Sequence, residues 1–323
     1  MRDSLTGARV KPSPSVLLFG ATGTAGQGVY RALHRAGYQV TCVLRKGQTP
    51  PGPAQILHAD ITQPMPHIFG QFDAIISCVA SRSGSRKDAW AIDHAAQLNI
   101  LELAQRLGVK QFILLSAICV QNPKLPFQFA KLAFERALIE SGLTYCIVRP
   151  TAFFKSLSGQ IPRLREGKAF LVFGNGELTA CKPISDDDLG NFMVGCITDP
   201  ARYNKILPIG GPGPAITPRD QAQALFALLE RPMKLRQVPV ALLRIICAGL
   251  RLAGVVFPAA QRKADLAEIG LYYATESMLV WHGPERGYSA EHTASSGTEH
   301  LFDHYAHIMR SGDTVPRGDH SVF

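Results

Sequence analysis

The patterned part of the chain begins with Val16-Leu17-Leu18-Phe19, an apolar run too short for a helix and without polar alternation. Such a run predicts a strand buried on both faces. It leads into Gly20-Ala21-Thr22-Gly23-Thr24-Ala25-Gly26. Beyond that, Ala25, Val29, Leu33 and Ala36 recur at helical spacing, and Gly37 is placed to end the helix. The same succession repeats downstream. Short apolar or β-branched runs predict strands over 38–44, 56–59, 72–79, 112–115 and 144–148. Helical stretches are predicted over 89–107, with Gly108 past the end, and over 126–142. Alternating strands and helices predict an α/β fold, a doubly wound parallel sheet covered on both faces.

After residue 150 the alternation loosens. Residues 15–150 read as the Rossmann core and 151–323 as a smaller, interleaved lobe with returning core elements. Residues 1–14, polar and with two prolines, read as a flexible leader, and the stretch after Ser289 as a polar C-terminal tail. Thr217-Pro218-Arg219-Asp220 predicts a helix start, with an N-cap, a proline at N1 and an acid at N3. Asp186-Asp187-Asp188 predicts another, its acids at the positive end of the helix dipole rather than around a metal ion. Residues 240–257 are apolar except for Arg244 and Arg251, which share one face. A core or lobe helix is the default reading, a membrane-surface helix the alternative, and a span is not expected with two arginines.

The strand, the glycines and the helix behind them predict a phosphate site. The unpaired N–H groups of a helix N-terminus face an anion, and glycine allows the tight turn, the close approach and the close packing. Gly20, Thr22, Gly23, Thr24, Ala25 and Gly26 are the candidate contacts. About twenty residues on, where an NAD site carries an acid for the ribose 2′-hydroxyl, this chain has Arg45-Lys46, which suits a 2′-phosphate and hence NADPH. The carboxyl ends of the next strands supply Asp60 and Ile61 near the adenine, then Cys78, Ala80 and Ser116 along the cofactor.

The formal charge of +9 points to anionic partners. Nucleic acid is not expected, because the basic residues are scattered and no nucleic-acid motif accompanies them. The seven cysteines contain no C-x-x-C pair and several sit within apolar runs, so they read as reduced buried thiols, without metal or iron–sulfur spacing. No metal site is expected.

From about Ser15 onward the chain resembles an atypical, extended short-chain dehydrogenase/reductase of the NmrA-like kind. More closely, it resembles the NADPH-dependent 8-vinyl reductases of divinyl chlorophyllide and protochlorophyllide. The most specific stretches are Leu114-Leu115-Ser116-Ala117-Ile118-Cys119-Val120-Gln121 and Val148-Arg149-Pro150-Thr151-Ala152-Phe153-Phe154-Lys155-Ser156-Leu157. Ala180-Cys181-Lys182-Pro183-Ile184-Ser185, Leu207-Pro208-Ile209-Gly210-Gly211-Pro212-Gly213 and Tyr272-Tyr273-Ala274-Thr275-Glu276-Ser277-Met278-Leu279 also match.

The resemblance implies reduction of the C8 vinyl group of the tetrapyrrole to ethyl; the reduced thiols point to the cytoplasm, and the apolar substrate leaves peripheral contact with a photosynthetic membrane as the alternative role of the 240–257 helix. The unrelated iron–sulfur and flavin type of 8-vinyl reductase does not fit the dispersed cysteines. The superfamily's Tyr-x-x-x-Lys signature reads here Phe127-Gln128-Phe129-Ala130-Lys131, so the lysine is kept and the phenol is missing. A carbonyl reductase needs that phenol to protonate an alkoxide; hydride addition to a conjugated vinyl group spreads charge over the macrocycle and makes no alkoxide.

By resemblance Lys131 holds the nicotinamide ribose, and Pro150, Thr151 and Phe153 line the nicotinamide. Phe127 and Phe154 would line the ring, with Arg82, Arg86 and Arg163 as propionate partners. Lys155 is a candidate proton donor or propionate partner. The 240–257 helix is expected to shield the flat ring. A non-catalytic NADP-binding sensor or assembly factor, and an ene-reductase for another conjugated molecule, remain the alternatives.

Overall fold

The computed structural model describes residues 13–311; most of the predicted leader, residues 1–12, and residues 312–323 lie outside the described residues. Strand β1 (Ser15–Phe19) lies at the middle of a parallel sheet, between β2 (Gln39–Leu44), which carries β3 (Gln55–His58), and β4 (Ala74–Ser77). On the far side of β4 follow β5 (Gln111–Leu115) and β6 (Thr144–Pro150). Strand β7 (Phe170–Phe173) leaves the sheet, β8 (Lys205–Gly210) returns to it beside β6, and β9 (Leu235–Val238) pairs with β7 elsewhere. A hairpin of β10 (Val280–Trp281) and β11 (Tyr288–Ser289) precedes β12 (Ala294–Ser295), which closes the far edge beside β8. The order is therefore β12-β8-β6-β5-β4-β1-β2-β3. It reverses direction at β1, and the crevice of a doubly wound sheet lies at the carboxyl ends of the strands flanking that reversal.

Period-two alternation along β1 sorts its side chains between two cores. Val16 and Leu18 face the helices Thr24–Arg35 and Asp186–Gly195, with Val29, Leu33, Leu189 and Met193. Leu17 and Phe19 face Gln97–Arg106 and Pro126–Glu140, with Ile100, Leu103, Phe134 and Leu138. A chain buried on both sides has no polar alternation to show, which is why β1 reads as a continuous apolar run.

The Asp186–Gly195 helix is capped by the Ser185 hydroxyl, which accepts the Asp188 N–H at 3.0 Å. Asp186 and Asp187 take the Arg31 guanidinium at 2.6 and 3.0 Å across the helix pair. Thr217 and Asp220 form a reciprocal capping box at the start of Pro218–Leu228.

Three expectations need correction. The helix predicted from 89 starts earlier, at Arg86, where the Ser85 hydroxyl accepts the Asp88 N–H, and it passes through a π-helical stretch, Trp90–Ala96. The polar tail after Ser289 is built into the fold: β12 joins the sheet, and Leu301–Ser311 forms a helix. Its Leu301, Tyr305 and Ile308 complete the lobe core with Phe154, Leu164, Phe170 and Phe226. The polar look reflects a single buried stripe on an otherwise wet helix. Finally, of the core and lobe alternatives for Val240–Gly254, the core one does not hold. Cys247 is its one buried residue, and it packs along Pro258–Thr275 as a helical hairpin. The second helix buries Ile269 and Tyr272 against Cys119 and Leu125, just beyond β5.

Candidate active site

The glycine loop is held by contacts that exclude larger residues. Gly20 has φ +76°, and a Cβ there would sit 2.7 Å from the Cys78 backbone at the end of β4. A Cβ on Gly26 would meet the Gly20 carbonyl oxygen at 2.0 Å. The loop therefore folds onto the first turn of Thr24–Arg35, closed by Gly23 N–H donating to the Gly20 carbonyl at 3.1 Å. Gly23 is the N-cap and offers no side-chain cap, so the first-turn N–H groups are left for an external anion. Lys155 adds a cation at this point: its Nζ stands 3.3 Å from Thr24 Oγ1. Uncapped amides, a hydroxyl and an ammonium group fit the diphosphate of a dinucleotide. Lys155, expected as a proton donor or propionate partner, stands beside the first turn of the Thr24–Arg35 helix.

Parallel pairing of β2 and β3 brings the adenosine-side candidates together. Ala59 N–H donates to the Leu44 carbonyl at 3.0 Å, so Arg45 and Lys46 leave β2 exposed beside Asp60. The Thr62 N–H and hydroxyl hold the Asp60 carboxyl below the usual carboxylate range, with a smaller push from Arg45. Ile61 is tied down through its carbonyl, which accepts from Asn99 at 2.9 Å.

Beneath the ends of β4, β5 and β6 runs a buried polar layer. Ser77 donates to Gln97 at 2.8 Å, and Gln97 donates to the Val79 carbonyl at 3.2 Å. Ser81 donates to Asp93, whose other oxygen meets Lys131 Nζ at 2.9 Å; the Asp93 side chain is fully buried and that of Lys131 is 11% exposed. Ser116 donates to Glu135, which Arg149 clasps with two nitrogens. Lys131 and Ser116 thus meet at the crevice, each fixed by an acid that the sequence reading did not single out.

Asp93 lies in the π-helical stretch, a distortion frequent at functional sites. The overlooked signal was the spacing Asp93/Gln97 and Lys131/Glu135, four apart and so on one helix face, in helices otherwise apolar there.

The remaining candidates divide. Pro150 and Thr151 end β6, and the Thr151 hydroxyl donates to the Lys182 carbonyl. Phe153 is half-buried and bridges to Ile184. Cys78 is also half-buried, and burial pushes its thiol up to about 12, so it stays protonated. Ala80 is exposed. Phe127 packs in the first turn of Pro126–Glu140 against Cys119, Leu125, Ile269 and Tyr272.

Arg82 is exposed, in a loop whose N–H groups at 82 and 83 donate to Asp88 at 2.9 Å. Two candidates point elsewhere. Phe154 opens the short helix Phe154–Leu157 and is buried in the lobe core, its ring 5.4 Å from that of His304. Arg163 donates from Nε to the Ala169 carbonyl at 2.8 Å, inside its own turn. Neither lines a ring site as expected.

Among the described residues, no group of three or more His, Cys, Asp or Glu could hold a metal ion, and no helix is long and apolar enough to cross a membrane. A family profile described as NAD(P)H-binding matches residues 20–200. A UDP-glucuronic acid 4-epimerase from Bacillus cereus, solved with NAD, superposes with a TM-score of 0.58 over 70% of this chain and 86% of its own, at 16% identity. That likeness confirms the fold alone. Divinyl chlorophyllide a 8-vinyl-reductase of rice, a chloroplastic protein, is 42% identical over 92% of this chain and 79% of its own. The Arabidopsis thaliana reductase of the same name is 40% identical over 92% of this chain and 77% of its own. An NAD(P)H-binding Rossmann domain, matched over most of its length to these reductases, places the chain in the divinyl chlorophyllide a 8-vinyl-reductase family.

Proposed function

We propose that this chain is an NADPH-dependent oxidoreductase that reduces the C8 vinyl group of divinyl chlorophyllide or protochlorophyllide to ethyl. The observation that carries this reading is the 42% identity over 92% of the chain, which includes both strand ends where substrate and cofactor must meet. The signature helix agrees. With Phe127 where a phenol would stand, the helix that carries Lys131 lacks the superfamily's acid for an alkoxide, and vinyl reduction forms none.

Bound NADPH supplies the hydride. The first-turn amides from Thr24 to Gly26, with Gly20, Thr22, Gly23 and Lys155, receive its diphosphate. Arg45, assisted by Lys46, takes the 2′-phosphate, and Asp60 and Ile61 border the adenine. Lys131, aligned by Asp93, holds the nicotinamide ribose, while Cys78, Ala80, Ser116, Pro150, Thr151 and Phe153 line the crevice. A planar substrate lies over Phe127, with Arg82 as the candidate propionate partner. Fixing both partners between rigid strand ends converts their encounter into an oriented, effectively unimolecular one. Incubation with NADPH and divinyl chlorophyllide should yield the monovinyl product, seen as a blue shift of the Soret band with equimolar NADPH consumption. Tight NADPH binding with every divinyl tetrapyrrole left unchanged would instead support a redox sensor.

Peripheral attachment to an anionic bilayer belongs to the same proposal. The tip of the helical hairpin exposes Leu252, Val255, Val256 and Phe257 together, with Val255 83% exposed. Arg244, Arg262 and Lys263 on the same hairpin are exposed cations suited to lipid headgroups. Flotation with vesicles containing anionic lipid, lost on Phe257→Glu, is the expected result; no flotation would remove this part of the reading.

A further inference from the structure

The helix that carries Lys131 lacks a phenol, but another element brings one to the cluster against which Phe127 packs. Pro258–Thr275 crosses the turn after β5, where Cys119, Leu125, Ile269 and Tyr272 pack together with Phe127 and Tyr273 at their margin. The Tyr273 hydroxyl lies 3.9 Å from Cys119 Sγ, and that thiol lies in the electrostatic field of Lys131. Tyr273 therefore borders the space that the side chain at 127 faces, one helical turn from Lys131.

The neighbouring polar groups are already engaged. Tyr272 has its hydroxyl between the Cys119 and Asn122 carbonyls, at 2.9 and 3.0 Å. Tyr288 donates to Glu276 at 2.7 Å, and Lys131 is paired with Asp93. For Tyr273 the one polar partner found among the described residues is a thiol, a weak acceptor at this distance. Its ring is held edge-on to Tyr272, with centroids 5.6 Å apart and planes at 89°. The phenol is thus positioned by packing while its proton is left uncommitted. Burial raises its pKa well above the ordinary 10, which keeps the proton in place across the physiological range.

We infer that Tyr273 is the proton donor of vinyl reduction, a phenol supplied from the helix Pro258–Thr275 in place of the one absent at Phe127. The inference rests on the reductase reading above. Hydride adds to the outer vinyl carbon, and the π pair moves to the inner carbon and into the macrocycle. The Tyr273 O–H bond breaks and its proton joins the inner carbon, giving ethyl. The phenolate then takes a proton from water, so one hydride and one proton are consumed per vinyl group. A carbanion, even a delocalised one, is basic enough to deprotonate a phenol of raised pKa.

Tyr273→Phe keeps the ring and removes only the hydroxyl. We expect kcat to fall about a hundredfold or more, the range of a lost general acid, with the dissociation constants for NADPH and for divinyl chlorophyllide unchanged within about twofold. Tyr272→Phe, which removes the hydroxyl shared between the Cys119 and Asn122 carbonyls, should lower the melting temperature and leave kcat within about threefold. In protein labelled with 13Cζ-tyrosine, the resonance missing from Tyr273→Phe should stay that of a neutral phenol beyond pH 10 and should shift when substrate binds with NADP+. Tyr273→Phe retaining the parent kcat, or a Tyr273 resonance unmoved by substrate, would overturn the inference while leaving the reductase reading intact. Failure of the unaltered chain to reduce any divinyl tetrapyrrole would overturn both.

Discussion

Replacing Lys131 by Met tests whether the buried pair under the crevice is a structural unit as well as a cofactor contact. Lys131 Nζ lies 2.9 Å from Asp93, whose side chain is fully buried, and Lys131 is 11% exposed. With the ammonium group gone, the carboxylate keeps, among the described residues, the Ser81 hydroxyl and N–H. Stranding one member of a buried ion pair costs about 3–5 kcal/mol. At about 2–4 °C per kcal/mol for a large domain, the melting temperature should fall by about 6–20 °C. Adding Asp93→Asn removes the stranded charge and keeps a side-chain oxygen for Ser81, so the double variant should regain about 2 kcal/mol or more over Lys131→Met. The assay is a double-mutant cycle by urea denaturation, run beside NADPH titration. Stability should return in the double variant and NADPH affinity should not, because the ribose contact is lost in both. Single-variant costs that add within about 0.5 kcal/mol would refute the coupling, and recovery of NADPH affinity with stability would refute the direct contact.

Other outcomes follow from the same geometry. Arg45→Asp removes a charge-assisted contact worth about 1.5–3 kcal/mol, so the NADPH KM should rise about ten- to a hundredfold while that for NADH rises little; steady-state kinetics with both cofactors decides. Gly26→Ala forces a Cβ to within 2.0 Å of the Gly20 carbonyl oxygen; about 1–3 kcal/mol of stability and most NADPH binding should be lost, read by melting and by fluorescence titration. Phe127→Tyr should change vinyl reduction by less than about threefold, measured as kcat, if the proton comes from elsewhere. Burial against Phe154 lowers the His304 pKa, opposed by Asp186 and Glu299 and assisted by His307. The neutral ring is therefore the one that folds, and its contribution is present above about pH 6.5 and is lost as pH falls toward the lowered value. His304→Phe should flatten that part of the stability–pH curve in denaturation between pH 7 and 5.

The doubly wound core was legible because its signals are local. A strand buried on both faces must be apolar throughout, and a helix that follows a tight turn must carry small residues where it meets the strand. Hence 16–19, the glycine loop and Arg45 stood out in the linear chain, and the long matches after β5 and β6 carried the family resemblance. Tertiary structure alone decided what faces what. Phe153 and Phe154 are adjacent and chemically alike, but Phe153, the extended N-cap, packs against the sheet core, while Phe154, which opens the short helix Phe154–Leu157, fills the lobe core. Lys155 was visible as a cation but not as a partner of Thr24, which lies more than a hundred residues earlier. Asp93, Glu135 and Tyr273 meet their partners only after strands and helices have packed. A buried charge or phenol is defined by what surrounds it, and long-range packing, which the order of residues does not display, brings those surroundings together.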